Sequence, residues 1–257
     1  MTVWVCVTAG IPAATLAARG TRPAGRGTPR VPVARLGRHD EVAVAVAVAL
    51  AGALGDQAAA VTVGDARAEA GLRAALALGC GRALRIDAEP GTPAVVAGLL
   101  ADLVHSEGPP TMVLTGLRGS QWETGQVPGL LACRLDVPCV AGVSTVEAAG
   151  DGFTAHWDGG GRHDQARIEA GGVVSVARCL TNRPSVPSIH ATAAAFATDV
   201  AVVTPAPAAG PPMPPEPVLV GTRVESTETD RIRFGPGELE QAAAEVAERL
   251  LRHYGGR

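Results

Sequence analysis

The chain has 257 residues, 47 % of them apolar, which is ample for one large domain with a single core. The formal net charge is −3 and all 22 residues counted as Lys or Arg are arginine. That balance excludes nucleic acid and anionic lipid as bulk electrostatic partners, and it leaves no lysine ammonium to bind phosphate or form a Schiff base.

Cysteines stand at 6, 80, 133, 139 and 179. They form no CxxC pair and are odd in number, so they read as reduced thiols rather than a disulfide frame. The longest apolar run, 42–54, reaches only about half to two-thirds of a membrane span. No basic-then-apolar leader precedes the first strand. A soluble, cytoplasmic protein with no membrane insertion is expected.

In chain order, residues 3–7 form a buried strand, followed by a Gly/Pro/Arg-rich loop over 8–37. The run 42–54 alternates valine and alanine, which is a strand pattern. Its length, Asp40 as N-cap and Gly55 as a stop favour a helix instead. A strand over 60–63 turns at Gly64-Asp65 into a helix that stops at Gly79. A strand over 83–86 follows. Thr92-Pro93 then supplies an N-cap and a proline for the first helical position of a helix expected to bury Val95, Val96, Leu99, Leu100, Leu103 and Val104. Residues 111–115 form the next strand, and a glycine-containing loop over 116–123 leads into a helix through Leu131 and Leu135.

Alternating apolar strands and amphipathic helices specify an α/β fold, with a mostly parallel sheet flanked by helices on both faces. Residues 143–148, 153–157 and 165–168 are short alternating segments with Gly-rich turns, read as an antiparallel excursion. Residues 173–177 return as a buried strand. Residues 204–217 hold seven of the 20 prolines and form an extended linker. The tail ends in an amphipathic helix over 237–253, whose apolar face must dock on this domain or on another chain.

The segment LTGLRGSQWETGQ (114–126) is a strand, a loop and a helix start. It sits at the carboxyl end of a parallel strand, where open α/β sheets bind ligands. The unpaired N–H groups of the helix start suit phosphate. Gly119 and Gly125 permit close backbone approach, Thr124 offers a hydroxyl and Arg118 a cation. The same residues fit an ordinary βα loop with a threonine cap. Neither the GxGxxG nor the GxxxxGK[ST] motif is present. The six histidines are scattered without metal-ligand spacing, and GxSxG is absent. Cys133 and Cys139 bracket a helix end and are expected to pack in the core. Cys80 is expected to be inert.

Three segments together resemble the electron transfer flavoprotein beta subunit family. VTVGDARAEAGLRAALALGCGRALRI (61–86) is similar to the family's strand, glycine turn and helix ending ALAxGAxRA. LTGLRGSQWETGQVPGLLA (114–132) resembles GKQAIDGDTGQVGPMLA, and LTNRPSVPSI (180–189) resembles LRINEPRYPSLP. HDEVAVAVAVAL (39–50) falls where the family has DENALEEALRL. Order and separation match, and the likeness spans roughly residues 1–200.

The resemblance implies an adenine nucleotide alpha-hydrolase-like, Rossmann-type domain over 1–203, the linker over 204–217, and a C-terminal arm over 218–257 that docks on a partner. It implies a beta subunit that buries AMP, or FAD in bifurcating relatives, and pairs with an alpha subunit carrying the redox FAD. The pair would shuttle electrons from a flavin-dependent dehydrogenase. The adenine end would meet Cys6, Val63 and Gly64. The phosphate end would meet Gly119, Ser120, Gln121, Trp122, Glu123, Thr124, Gly125 and Gln126. Asn182, Pro184, Pro187 and Ile189 would form the partner-recognition loop, with Ile189 in the place of an anchoring leucine.

Some positions depart from the family pattern. Leu117-Arg118 replaces Lys-Gln, Gln121-Trp122-Glu123 replaces Asp-Gly-Asp, and Val42 replaces an asparagine near the ribose. His190 replaces a proline, and the alanine-rich stretch after it replaces a lysine-rich one. The dehydrogenase is therefore expected to differ from a standard acyl-CoA dehydrogenase. Two further readings stand beside the electron-carrier one: a nucleotide-hydrolysing protein on the same fold, and a nucleotide-free structural subunit.

Overall fold

The computed structural model describes residues 2–10, 35–119, 123–159, 161–179, 182, 184–205 and 237–254. The chain divides into two compact units, 1–214 and 215–257. Among the described residues of the first unit, seven strands form one parallel sheet. They are β1 (Thr2–Cys6), β4 (Gln57–Val63), β5 (Arg82–Ile86), β6 (Met112–Gly116), β7 (Cys139–Val143), β11 (Val173–Val176) and β12 (Ala201–Val203). Their spatial order is β12-β5-β4-β1-β6-β11-β7. Helices cover both faces, so the central strands are apolar along their whole length instead of alternating.

Strand periodicity divides the core in two. Val3 and Val5 face one way and pack with α1 (Arg38–Leu54) and α2 (Glu69–Ala77). Trp4 and Cys6 face the other way and pack with α3 (Pro93–Glu107) and α4 (Val127–Leu135). The helix expected after Thr92 starts as read, with Thr92 Oγ1 accepting from Val95 N–H at 3.4 Å and Pro93 in the first turn.

The valine–alanine run is a helix. Its burial does not alternate: Ala47 is fully buried, Val48 half-buried and Ala49 exposed. It ends at Gly55, whose φ of 68° is left-handed, as expected of a glycine stop. The expected N-cap is corrected. Gly37 occupies that position, and Asp40 lies inside the first turn because its carboxylate is committed elsewhere.

The antiparallel excursion is a three-stranded sheet of β8 (Thr145–Ala149), β9 (Gly152–Gly159) and β10 (Arg162–Ile168). The 8–37 loop is tied at its ends by a two-stranded ribbon, β2 (Ala9–Gly10) with β3 (Arg35–Leu36); residues 11–34 lie outside the described ones. Besides that ribbon, β7, β12 and α5 (Ile189–Ala197) went unread in the sequence. β7 and β12 are the edges of the large sheet; their residues, CVAGV and AVV, are apolar but too few to be told from loop by periodicity.

The expectation that Cys133 and Cys139 are core residues is overturned, since both are exposed. Cys133 lies on the outer flank of α4 and Cys139 at the start of an edge strand. Cys80 is buried and its thiol is pushed up to about 12 by burial, consistent with an inert residue. In the second unit, α6 (Leu239–Tyr254) carries Arg249–Glu245 and Arg252–Glu248 pairs one turn apart and exposes Val246 and Leu251. Among the described residues no helix is long and apolar enough to cross a membrane.

Ala47 and Ala49 would share one face of a strand but lie on opposite sides of a helix. Ala47→Asp should therefore destabilise the protein by more than about 3 kcal/mol, and Ala49→Asp by about 0.5 kcal/mol or less. Equal losses in urea unfolding would contradict the helix.

Candidate functional site

Strand order reverses beside β1: the chain runs from β1 to β4 and β5 on one side, then returns to β6 on the other. A crevice opens at the carboxyl ends of the strands around such a reversal. Here it is a cleft of about 1290 Å³. Its walls come from the end of β1, the turn after β4, residues 87–91 after β5, and the segment after β6.

The cleft floor is organised by Asp40. Thr8 donates to Asp40 Oδ2 from its backbone N–H at 3.0 Å and from its hydroxyl at 2.7 Å. The Gly116 N–H donates to the same carboxylate. One side chain thus joins the start of α1 to the exits of β1 and β6. The junction leaves no room for a side chain at 116, where a Cβ would lie 2.2 Å from Asp40 Oδ1 and 2.9 Å from the Asp40 nitrogen. Burial raises the carboxyl pKa from 3.8 to about 6 despite these bonds. Sequence reasoning took Asp40 for a cap. The available signal was a pair of carboxylates, Asp40 and Glu41, placed directly before a long uncharged apolar run.

The turn after β4 is held from beneath. Buried Arg85 donates Nη1 to the Gly64 carbonyl at 3.0 Å and Nε to Glu69 Oε1 at 3.1 Å, and it pairs with Asp87. Gly64 has φ 155°, and a Cβ on it would meet Ala68 Cβ at 2.8 Å. Asp65 caps the following 3₁₀ turn by accepting from Arg67 N–H at 2.9 Å. Asp65, Asp87 and Glu89 line this wall with carboxylates, and Val63, Val96 and Leu100 add apolar surface. Sequence reasoning missed Thr8, Arg85 and the 87–91 segment, because their roles come from strands distant in the chain.

On the opposite wall, the loop after β6 closes on itself: the Gly119 carbonyl accepts from Glu123 N–H at 3.0 Å. Glu123 and Gly125 have φ of 50° and 66°. Thr124 Oγ1 accepts from Gln126 N–H at 3.5 Å. Helix α4 then begins without a side-chain cap, so its first N–H groups keep their capacity for an anion.

Of the cleft residues assigned from the sequence, Cys6, Val63, Gly64, Gly119, Glu123, Thr124, Gly125 and Gln126 all line this one cavity. Ser120, Gln121 and Trp122 lie outside the described residues. Arg118 is exposed and stands beside His39. The pKa of His39 is lowered by burial first and by Arg118 second. The Cys6 thiol is pushed up to about 12 by burial and by Asp40, so it is a wall and not a nucleophile. Among the described residues no cluster of His, Cys, Asp and Glu could hold a metal ion.

The second assigned segment divides by role. Asn182 is half-buried: its Oδ1 accepts from Cys179 N–H at 2.7 Å, and its Nδ2 donates to the Ser144 and Ala177 carbonyls, both at 2.8 Å. It locks the segment after β11 onto the antiparallel sheet. Beyond Pro184 and Pro187, Ile189 is 87 % exposed and opens α5, with Ser188 as N-cap. Val186 and Phe196, not singled out in the sequence, are also strongly exposed.

Asp40 sets a pH dependence. The folded chain holds this proton more tightly than the unfolded one, so the associated stability is complete below about pH 4 and is lost as pH rises through about 6. The loss should approach about 3 kcal/mol. The difference in unfolding free energy between wild type and Asp40→Asn should therefore fall with pH across this window. A flat difference would show that the carboxyl is not desolvated.

The sequence profile described as the electron transfer flavoprotein domain matches residues 32–208. The chain is also similar to the electron transfer flavoprotein subunit beta of Bacillus subtilis (strain 168), with 31 % identity over 156 residues. That alignment covers 59 % of this chain and 60 % of the relative, so the chain spans less than two-thirds of the relative's length.

Proposed function

Since the chain belongs to the electron transfer flavoprotein domain family, we propose that it is a beta-type subunit of a heterodimeric electron carrier and holds an adenine nucleotide in its cleft. The observation that carries this reading is the convergence of Cys6, the Val63–Gly64 turn, Gly119 and residues 123–126 on one cavity at the sheet's reversal point. The residues suit such a ligand. Apolar Val63, Val96 and Leu100 offer a surface for a base, carboxylates on the same wall can accept from ribose hydroxyls, and the uncapped start of α4 can receive phosphate. AMP is the proposed occupant, with FAD as the alternative.

The redox FAD would be carried by an alpha partner and would supply the electron chemistry. This chain's residues would bind and orient. The 1–203 domain would hold the nucleotide, the 204–217 linker would span, and the 218–257 arm would dock on the partner. Electrons would come from a flavin-dependent dehydrogenase.

Denaturing the purified complex and separating the released nucleotides tests the reading. One FAD and one AMP per heterodimer is expected. Two FAD would place a flavin in this cleft. One FAD with no second nucleotide would favour a structural subunit, and ATP turnover by the isolated chain would favour a hydrolase. Thr124→Val should weaken nucleotide retention by about tenfold, the value of one hydroxyl contact to phosphate; unchanged retention would remove Thr124 from the site.

Ile189 is the proposed anchor for the dehydrogenase. Pro184 and Pro187 restrict the backbone before it and lower the entropy lost on docking. Burying its side chain in a partner pocket is worth about 1.5–3 kcal/mol, so Ile189→Ala should weaken docking about 10- to 150-fold. Flavin content and melting temperature should stay at wild-type values. Electron transfer from the dehydrogenase at the wild-type rate would place the anchor elsewhere.

A further inference from the structure

Two thiols lie outside both assigned sites and line one surface hollow. Cys133 is on the last turns of α4 and Cys139 opens β7; both are exposed. Helix α4 buries Pro128, Leu131 and Ala132. Arg134 reaches toward α3, where a Cβ built on Gly98 would lie 4.0 Å from Arg134 Nη1. At about 100° per residue, Gly129, Cys133 and Asp136 therefore occupy the opposite flank, away from α3.

The edge of the sheet lies on that side. In β7, Cys139 is in register with Val173 of β11, and Val173 packs in the same cluster as Leu131 and Ala132 of α4. Residues in register on neighbouring strands point to the same face, so Cys139 projects to the face that α4 covers. The connection between them is tight. Asp136 is left-handed at φ 55°, the Val137 N–H returns to the Ala132 carbonyl at 3.1 Å, and Pro138 follows. Cys133 and Cys139 line one shallow hollow together with Gly129 and Asp136. The pKa of Cys139 is raised by burial and then by the charge of Cys133, as two neighbouring thiols require.

We propose that Cys133 and Cys139 form a reversible dithiol–disulfide pair that is oxidised by low-molecular-weight disulfides. The thiolate of Cys133 attacks one sulfur of a small disulfide RSSR. The S–S bond breaks, RS⁻ leaves, and a mixed disulfide stands on Cys133. The Cys139 thiol gives its proton to solvent and attacks the Cys133 sulfur, expelling the second RS⁻. The protein loses two electrons and two protons, and RSSR gains both to become two RSH. Transient disulfides of this kind are compatible with a reducing compartment. The bond would pin α4 at the end opposite the cleft loop.

The chain has no lysine, so trypsin cuts only at arginine, and peptides 119–134 and 135–162 carry these cysteines one each. The purified full-length protein, with any partner retained, is incubated with oxidised glutathione, alkylated and digested without reduction. The expected product is the two peptides joined by a disulfide within one chain, with two alkylatable thiols lost and both restored by dithiothreitol. Cys139→Ser should arrest the reaction with glutathione on Cys133, and melting temperature should be unchanged because the residue is exposed. Recovery of both peptides alkylated, or each carrying its own glutathione, would overturn the proposal. So would a link formed only between two chains, seen as a dimer on a non-reducing gel.

Discussion

Asp40 accepts from the Thr8 N–H, the Thr8 hydroxyl and the Gly116 N–H, and the geometry of the cleft depends on that junction. β1 and β6 are neighbours in the sheet, but backbone pairing ends where they leave it. Their exits diverge at the sheet's reversal point, and something must hold the two departing chains at a set distance. A carboxylate does this with three charge-assisted or polar bonds. Burial works against it, which is why its pKa is raised to about 6. A buried charge held against its own desolvation is common where a site must be shaped rather than stabilised.

The rest of the cleft is built outward from that point. The apolar strands set the sheet, the two helical layers bury its faces, and the strand ends are left facing one cavity. Arg85 holds the Gly64 turn from below, much as Asp40 holds Gly116. One wall carries Asp65, Asp87 and Glu89 with Arg67, and the other carries Glu123 beside an uncapped helix start. Peptide dipoles and N–H groups at a helix start attract negative charge without any side-chain cation.

Away from the cleft, residues 184–196 carry exposed apolar side chains. Just before them, Asn182 donates to the Ser144 carbonyl at the entry to β8 and bonds to Cys179 and Ala177 of its own segment. The exposure of Val186, Ile189 and Phe196 therefore belongs to an anchored segment, the condition under which an apolar contact loses least entropy on binding.

Much of this was legible in the chain. The apolar strands and amphipathic helices carried the α/β class, because covering a parallel sheet on both faces demands continuous apolar strands. Gly55 and Thr92-Pro93 marked helix ends through their own backbone preferences. The segments around 61–86 and 114–132 pointed to the cleft, since ligand loops follow strands locally. What required the tertiary structure was whatever depends on partners far apart in sequence. Asp40 looks like a helix cap until Thr8 and Gly116 are seen to take its oxygens. Cys133 and Cys139 look like core residues until α4 and β7 are placed at the sheet's edge. β7 and β12 are strands only because a neighbour pairs with them. Local periodicity determines which elements form and which face each one buries. Position within the sheet, central or edge, decides which of those faces is finally covered, because that depends on strand order, which no single segment encodes.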